Sequence, residues 1–295
     1  MTERRTVLIT GAGGAIGARM LQALGQRGWD RRCLIHRHPA AGAEQQVRGD
    51  ITVPASLPDA VLGVSAIVHL AALTHSRSEA RYEEVNTEGT RNLLSAAAAA
   101  GVERFLFIST RAISPDGGGY SVSKHRAEEA VRGSGLKWTI VRLPEVYGAG
   151  STEGVDRILA QVSSGSWVPM VGRGDQPLCP VHVDDVVSAC VTALDAPCAI
   201  GHTYTLAGPP VTTVAFAEMA GDVLGRRPRM LRVPTVMVAA LGALSRWLPL
   251  PIYPDQLARL RAPKPPLSTD AEADLVFRPR PLREGLTSIV SGLRE

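Results

Sequence analysis

Residues 6–17 read Thr-Val-Leu-Ile-Thr and then Gly-Ala-Gly-Gly-Ala-Ile-Gly. The five-residue apolar run predicts a buried strand, and a helical run to about Arg27 follows the glycines. Gly11, Gly14 and Gly17 stand three apart. A strand that breaks into such a turn and restarts as a helix brings bare backbone to the positive end of that helix. A pyrophosphate binds in that position. The glycine pattern alone is weak, but its place between strand and helix is the context the chemistry requires. A chain that opens this way is committed to parallel strands with crossover helices.

The elements that follow keep that rhythm. Further strands are expected near Arg32–Ile35, at Ala66–Leu70, at Phe105–Ser109 and at Thr139–Leu143. Helices are expected over Arg81–Ala100, closed by Gly101, and around Tyr120 to about Arg132. Strands alternating with helices from residue 6 to 143 predict an α/β fold with a doubly wound parallel sheet of the Rossmann kind. Beyond Pro144 the rhythm changes. Gly154–Ser164 reads as helix, Val168–Val183 as extended, and Asp184–Leu194 as a helix with an acidic cap. A strand at Thr203–Ala207 and helices over 213–225 and 234–247 come next. From Pro249 to Pro281 the chain is dense in Pro and has no clear period.

The end of the second strand reports on the cofactor. An acid there would bond the ribose hydroxyl of NAD, and a base favours the 2′-phosphate of NADP. The chain has Ile35-His36-Arg37-His38 and no acid, which predicts NADP, with NAD as the alternative and Arg37 as the phosphate partner beside His36. Asp50, next to Ile51, could reach an adenine amino group. Leu70, Ala71 and Ala72 follow a strand end, where small residues let backbone lie against a cofactor. His69 reads as a packed strand-end residue and Asn86 as a buried amide tying neighbouring segments.

Tyr120 and Lys124 lie four residues apart, on one face of a helix. A phenol beside an ammonium that lowers its pKa can move a proton on or off a carbinol oxygen while hydride moves at the carbon. Thr110, just after Ser109 at the end of the fourth strand, can hold the same oxygen. The chain has only five Tyr and three Lys, so this pair is not the product of a crowded composition.

The net charge of +4 over 295 residues, without a basic stripe, argues against nucleic acid as a partner. The four cysteines show neither metal spacing nor a secreted disulfide pattern, so no metal is expected and a reducing cytoplasm is. Met1–Arg5 is charged and no secretory leader is expected. The longest apolar stretch, Val233–Leu244, is too short to span a bilayer.

Taken together, these residues resemble the extended branch of the short-chain dehydrogenase/reductase superfamily, the NAD(P)-dependent epimerase/dehydratase family. The resemblance rests on T-G-A-G-G-A-I-G at 10–17, G-D-I at 49–51, H-L-A-A at 69–72, N-T-E-G-T-R-N-L-L at 86–94, F-I-S-T at 107–110, Y-S-V-S-K at 120–124, V-R-L-P-E-V-Y-G at 141–148 and V-H-V-D-D-V at 181–186. It implies that Gly11, Gly14, Ala15, Ile16 and Gly17 line a pyrophosphate, that Asp50 and Ile51 line the adenine, and that Leu70, Ala71, Ala72 and Ser109 pass beside the cofactor. It implies that Lys124 bonds the nicotinamide ribose, that Pro144 and Val146 frame the nicotinamide, that Tyr120 is the acid/base and that Thr110 orients the substrate oxygen. Residues 1–144 and 181–207 would form the NAD(P)-binding domain, and 145–180 with 208–295 most of a small substrate lobe. A homodimer through the helices at 82–100 and 120–132 is compatible with the pattern.

Two departures bear on the substrate. Thr110 and Tyr120 are only ten apart, where sugar-nucleotide epimerases have a longer stretch, and Leu178 stands where they place a phosphate-binding Arg. Arg157 or Arg173 are candidates to replace it. The expected activity is hydride transfer at a secondary alcohol or ketone of a nucleotide sugar or similar polar compound. The alternatives are a non-turnover NADPH-binding protein related to the complex I accessory subunit, and an enzyme for an apolar substrate at a membrane surface. The last is prompted by the stretch Val233–Leu250.

Overall fold

The computed structural model describes residues 5–37, 39–245, 247–248, 253–261 and 264–292. The opening residues 1–4, His38, residue 246 and residues 249–252 of the apolar stretch, and residues 262–263 of the Pro-rich segment lie outside them.

Thr6–Thr10 (β1) leads into Ala15–Gln26 (α1), then Asp30–Ile35 (β2), Gln45–Arg48 (β3) and Ala66–His69 (β4). Gly89–Ala99 (α2), Arg104–Thr110 (β5), Gly119–Arg132 (α3) and Lys137–Leu143 (β6) continue the alternation. Gly154–Ser164 (α4), Trp167–Val171 (β7), Val183–Asp195 (α5), Thr203–Thr205 (β8), Thr213–Leu224 (α6) and Arg229–Val233 (β9) follow. Thr235–Leu244 (α7), Gln256–Arg261 (α8), Ala271–Leu275 (α9) and Leu282–Gly292 (α10) complete the described elements.

Seven strands form one sheet in the order β8-β6-β5-β4-β1-β2-β3, every neighbour parallel. The expected doubly wound sheet is therefore present. Because side chains alternate along a strand, β1 feeds two cores. Val7 and Ile9 pack with Met20 and Leu24 of α1 and Val186 and Val187 of α5. Leu8 faces the other way, onto Leu93 and Leu94 of α2 and Ala127 and Val131 of α3. A separate cluster of Tyr147, Val155, Leu178, Phe216, Leu282 and Leu286 gathers α4, α6 and α10 over one end of the sheet.

The differences from the sequence expectations have local causes. β3 was not expected, because it is an edge strand of Gln and Arg residues, mostly exposed, and carries no apolar signal. The single helix expected over 81–100 is a one-turn helix at Glu79–Tyr82, a π-helical turn at Glu83–Glu88 and α2. The extra residue of such a turn re-aims side chains, here Asn86. Its amide accepts from Leu73 N at 2.7 Å and donates to Leu73 O and Ser123 Oγ, each at 3.0 Å. The segment 168–183 is extended in three short pieces, β7 and bridges at Pro177–Leu178 and Val181–His182. The cap of α5 is His182, whose Nδ1 accepts from Asp184 N at 3.2 Å, not an acid. Asp184 and Asp185 lie in the first turn instead, where negative charge meets the helix dipole. Part of the Pro-rich segment is helical, in α8 and α9.

Candidate active site

A cleft of about 1020 Å³ runs along the C-terminal ends of β1, β2, β4, β5 and β6. The cofactor-binding and catalytic candidates line it: Gly11, Gly14, Ala15, Ile16, Gly17, His36, Arg37, Asp50, Ile51, Leu70, Ala71, Ala72, Ser109, Thr110, Tyr120, Lys124, Pro144 and Val146. It lies where a parallel sheet opens its ligand crevice.

The glycine turn is packed against its own surroundings. Gly11 has a φ of +75°, and a Cβ there would meet Ala71 N at 2.7 Å. A Cβ on Gly17 would run into the Gly11 carbonyl and Ala12. Gly13 faces open space. The N-cap of α1, Gly14, offers no side-chain cap, and the first turn holds no acid. The first N–H groups of α1 are thus left for an outside acceptor, which fits the pyrophosphate of a dinucleotide.

His69 keeps the opposite wall in place. It is fully buried, with Nδ1 2.6 Å from Thr10 Oγ1 and Nε2 3.0 Å from Thr90 Oγ1. Thr90 Oγ1 donates to Asn86 O at 2.6 Å, so it must accept from the histidine, and the ring is neutral with its proton on Nε2. Thr10 Oγ1 then donates to His69 Nδ1 and accepts from Ala71 N at 3.2 Å, fixing the Ala71 backbone at the cleft. Burial, aided by the charge of Lys124, pushes the His69 pKa from 6.5 to about 3. The unfolded chain takes up a proton between those values and the folded chain does not. Stability is therefore expected to fall as pH drops from about 6.5 towards 3, with a slope of about 1.4 kcal/mol per pH unit from this residue. Urea midpoints against pH check this: a His69→Gln variant should lose that slope.

At the end of the cleft built from β2 and the Asp50 loop, His36 Nε2 lies 3.1 Å from Asp50 Oδ2. Asp50 Oδ1 accepts from Thr52 N and Thr52 Oγ1, each at 2.9 Å. Burial raises the Asp50 pKa, but the Thr52 bonds and His36 outweigh it and hold the carboxyl below its ordinary value. Asn92 Nδ2 donates to Ile51 O at 2.9 Å, and Ile51 leans so closely on Gly89 that a Cβ there would lie 2.8 Å away. Arg37 is exposed, and Arg81, not anticipated from the sequence, lines the same region.

At the other end β5 delivers Ser109 and Thr110. The Ser109 hydroxyl turns inward and donates to the buried Glu128 at 2.7 Å, leaving Thr110, whose Oγ1 accepts from Ala112 N at 3.0 Å, as the strand-end hydroxyl that shares the cleft with Tyr120. Lys124 sits one turn beyond Tyr120 on α3. Its Nζ donates to Ile108 O at 2.8 Å and lies 4.0 Å from the Phe107 ring centre. Burial lowers its pKa to about 7, although Glu128 opposes the shift. The cation over Tyr120 is Arg259 of α8, 4.2 Å from the ring centre. Burial nevertheless raises the Tyr120 pKa; Arg259 and the neighbouring Thr110 hydroxyl only partly offset it. The net effect holds the phenol above its ordinary pKa.

α8 was not legible as part of the site. Asp255, just ahead of it, accepts from Tyr120 N at 3.4 Å and from Arg259 Nη2 at 2.9 Å. Gly118, with a φ of +83°, approaches Asp255 so closely that a Cβ would lie 2.6 Å from the aspartate's own Cβ. Arg111 and Lys264 also line this end; Arg111 Nη1 donates to Cys179 Sγ at 3.0 Å and its Nε to Pro265 O at 3.3 Å. Arg157 and Arg173 are not among the lining residues, and Leu178 is buried in the lobe core. The signal available in the sequence was the spacing of Asp255 and Arg259, one turn apart within the Pro-rich stretch.

Residues 7–207 match the NAD dependent epimerase/dehydratase family. The ceramide reductase of Caulobacter vibrioides is 31% identical over 82% of this chain and 77% of its own length. The 4-hydroxy-2-methyl-3-oxo-4-farnesyl-3,4-dihydroquinoline-1-oxide ketoreductase of Stigmatella aurantiaca is 27% identical over 81% and 79%. Among solved structures, MoeE5 in complex with UDP-glucuronic acid and NAD is similar at a TM-score of 0.80 and 25% identity, over 98% of this chain and 99% of that one. The chain belongs to the NAD dependent epimerase/dehydratase family and is an NAD(P)-dependent oxidoreductase of the short-chain dehydrogenase/reductase type.

Proposed function

We propose that the chain is an NADP-dependent ketoreductase acting at a secondary alcohol or ketone, with Tyr120 as acid/base. The observation that carries this reading is that Thr110, Tyr120 and Lys124 line the same cleft as the glycine turn that opens α1. The glycine turn and α1 hold the pyrophosphate, Asp50 and Ile51 flank the adenine, and Pro144 and Val146 border the nicotinamide. Residues 1–144 and 181–207 form the cofactor wall, and 145–180 with 208–295 most of the substrate wall. The nicotinamide, when bound, supplies or takes the hydride. Thr110 and Tyr120 grip the substrate oxygen, and Tyr120, protonated at neutral pH, gives its proton to the oxygen as the ketone is reduced. Lys124 lies one helical turn from Tyr120 and is available to the nicotinamide ribose. The ceramide reductase likeness supports reduction as the net direction.

Arg111, Arg259 and Lys264 at the substrate end favour a second reading, an anionic nucleotide-sugar substrate recycled by an epimerase or dehydratase. The likeness to MoeE5 supports it. One assay separates the two: net NADPH consumption with a panel of ketones, against conversion of a UDP-sugar without net consumption.

For the cofactor, Arg37→Ala is expected to weaken NADPH binding roughly tenfold, the loss of one charge-assisted phosphate contact, and to leave NADH binding unchanged. Fluorescence titration with both dinucleotides checks this. Equal affinity of the wild type for both would overturn the NADP assignment.

A further inference from the structure

α7 is an unusual helix. Its sequence, T-V-M-V-A-A-L-G-A-L, is apolar nearly all round, yet only Val238 and Gly242 are buried. Val236 is 79% exposed, and Met237 and Leu244 are exposed beside it. The chain continues into Trp247, 86% exposed, and the exposed Leu248. Apolar residues grouped on the outside of a protein at this density mark a contact with something apolar. Among the described residues no helix is long and apolar enough to cross a membrane.

The charge around α7 identifies the partner. From Val223 to Pro254 the sequence holds five Arg and no Asp, Glu or Lys. Arg226, Arg227, Arg229 and Arg232 are all exposed, and they lie immediately before α7. β9 pairs in parallel with β7, setting Arg229 against Trp167. The outward face of this ribbon therefore presents the exposed Trp167 and Leu231 alongside arginine. Exposed tryptophan, an apolar helix and a run of arginines without acids is the composition that seats in the headgroup layer of an anionic bilayer.

We propose that α7 and the β7–β9 ribbon form a docking surface for an anionic phospholipid membrane. α7 packs against α8, and α8 carries Arg259 over Tyr120. Docking there sets the substrate end of the cleft beside the bilayer, the place from which an amphiphilic ketone would enter. The docking surface does not depend on the reaction: vesicle binding is read without turnover, so its failure leaves the ketoreductase reading standing.

The test is flotation of the full chain with phosphatidylglycerol-containing vesicles and with pure phosphatidylcholine vesicles. Binding is expected to the anionic vesicles, weakened by salt, with a blue shift of tryptophan emission. Trp247→Glu with Val236→Asp should abolish it, and Arg229→Gln with Arg232→Gln should weaken it roughly thirtyfold, about 1 kcal/mol per arginine near the surface being the working scale. Circular dichroism melts and NADPH titration confirm that each variant is folded. No binding by the wild type, equal binding to both vesicle types, or unchanged binding by the Trp247→Glu, Val236→Asp variant would each overturn the proposal. So would a wild-type dimer that ignores vesicles and is split by that variant, which would assign the face to a second copy of the chain.

Discussion

Tyr120→Phe is expected to lower turnover by roughly 10²- to 10⁴-fold, the usual worth of a positioned acid/base, while leaving NADPH affinity within a factor of about two. The substitution removes one oxygen. The ring stays under Arg259 and the backbone N of residue 120 keeps its contact with Asp255, so the wall of the cleft does not move. What is lost is the hydroxyl that lines the cleft with Thr110, and the proton it carries. The elevated pKa of the phenol adds a directional expectation. Burial holds Tyr120 protonated through neutral pH, so ketone reduction should be flat there, and the reverse oxidation should rise as pH climbs towards the phenol pKa. NADPH consumption and fluorescence titration on the same preparation measure the two quantities. Wild-type turnover in the variant would remove Tyr120 from the mechanism. Loss of dinucleotide binding would make its role structural.

The doubly wound sheet was legible because its signal is local. Val7, Leu8 and Ile9 are apolar in succession because both faces of a central parallel strand are covered, and a glycine turn follows directly. The catalytic candidates were legible for a similar reason, Tyr120 and Lys124 being one turn apart. The reading stopped one turn short. Glu128 continues the same stripe, but a lone glutamate on a helix looks solvated until the strand beneath it is known. Asp255 and Arg259 come from a segment over a hundred residues beyond Tyr120, and nothing local in a Pro-rich stretch says that it folds back over the site. Spacing puts Lys124 on the same helix face as Tyr120, but its bond from Nζ to the Ile108 carbonyl was not legible in the helix alone, because β5 supplies that acceptor.

Glu128→Ala is expected to destabilise the fold by about 3–5 kcal/mol, the cost of removing one partner from a buried ion pair. The Glu128 side chain is completely buried. One carboxylate oxygen accepts from Ser109 Oγ at 2.7 Å and Arg142 Nε at 2.8 Å, and the other from Arg142 Nη2 and Arg132 Nη2, each at 2.6 Å. Burial raises the Glu128 pKa, but the Arg142 bonds, with Ser109 and Arg132, outweigh it and keep the group ionised. Truncation strands the partly buried guanidinium of Arg142 with no acceptor for its Nε and Nη2. Glu128→Gln should cost less, because its carbonyl can still accept from Ser109 or Arg142. The folded pKa is lowered, so this stabilisation is present above the unfolded carboxyl pKa and is lost only as pH falls through the folded one. Urea denaturation at neutral pH measures the difference, and a double variant with Arg142→Met should recover part of it. The network also ties α3 to β5 and β6 directly behind the reacting groups, since Ser109 precedes Thr110 and Glu128 lies two turns from Tyr120. The Ala variant should therefore lose turnover even below its melting temperature, through misalignment of Thr110 with Tyr120. A variant as stable as the wild type would mean that water or a neighbouring carbonyl takes over the two arginines and that the buried carboxylate is not what aligns the site.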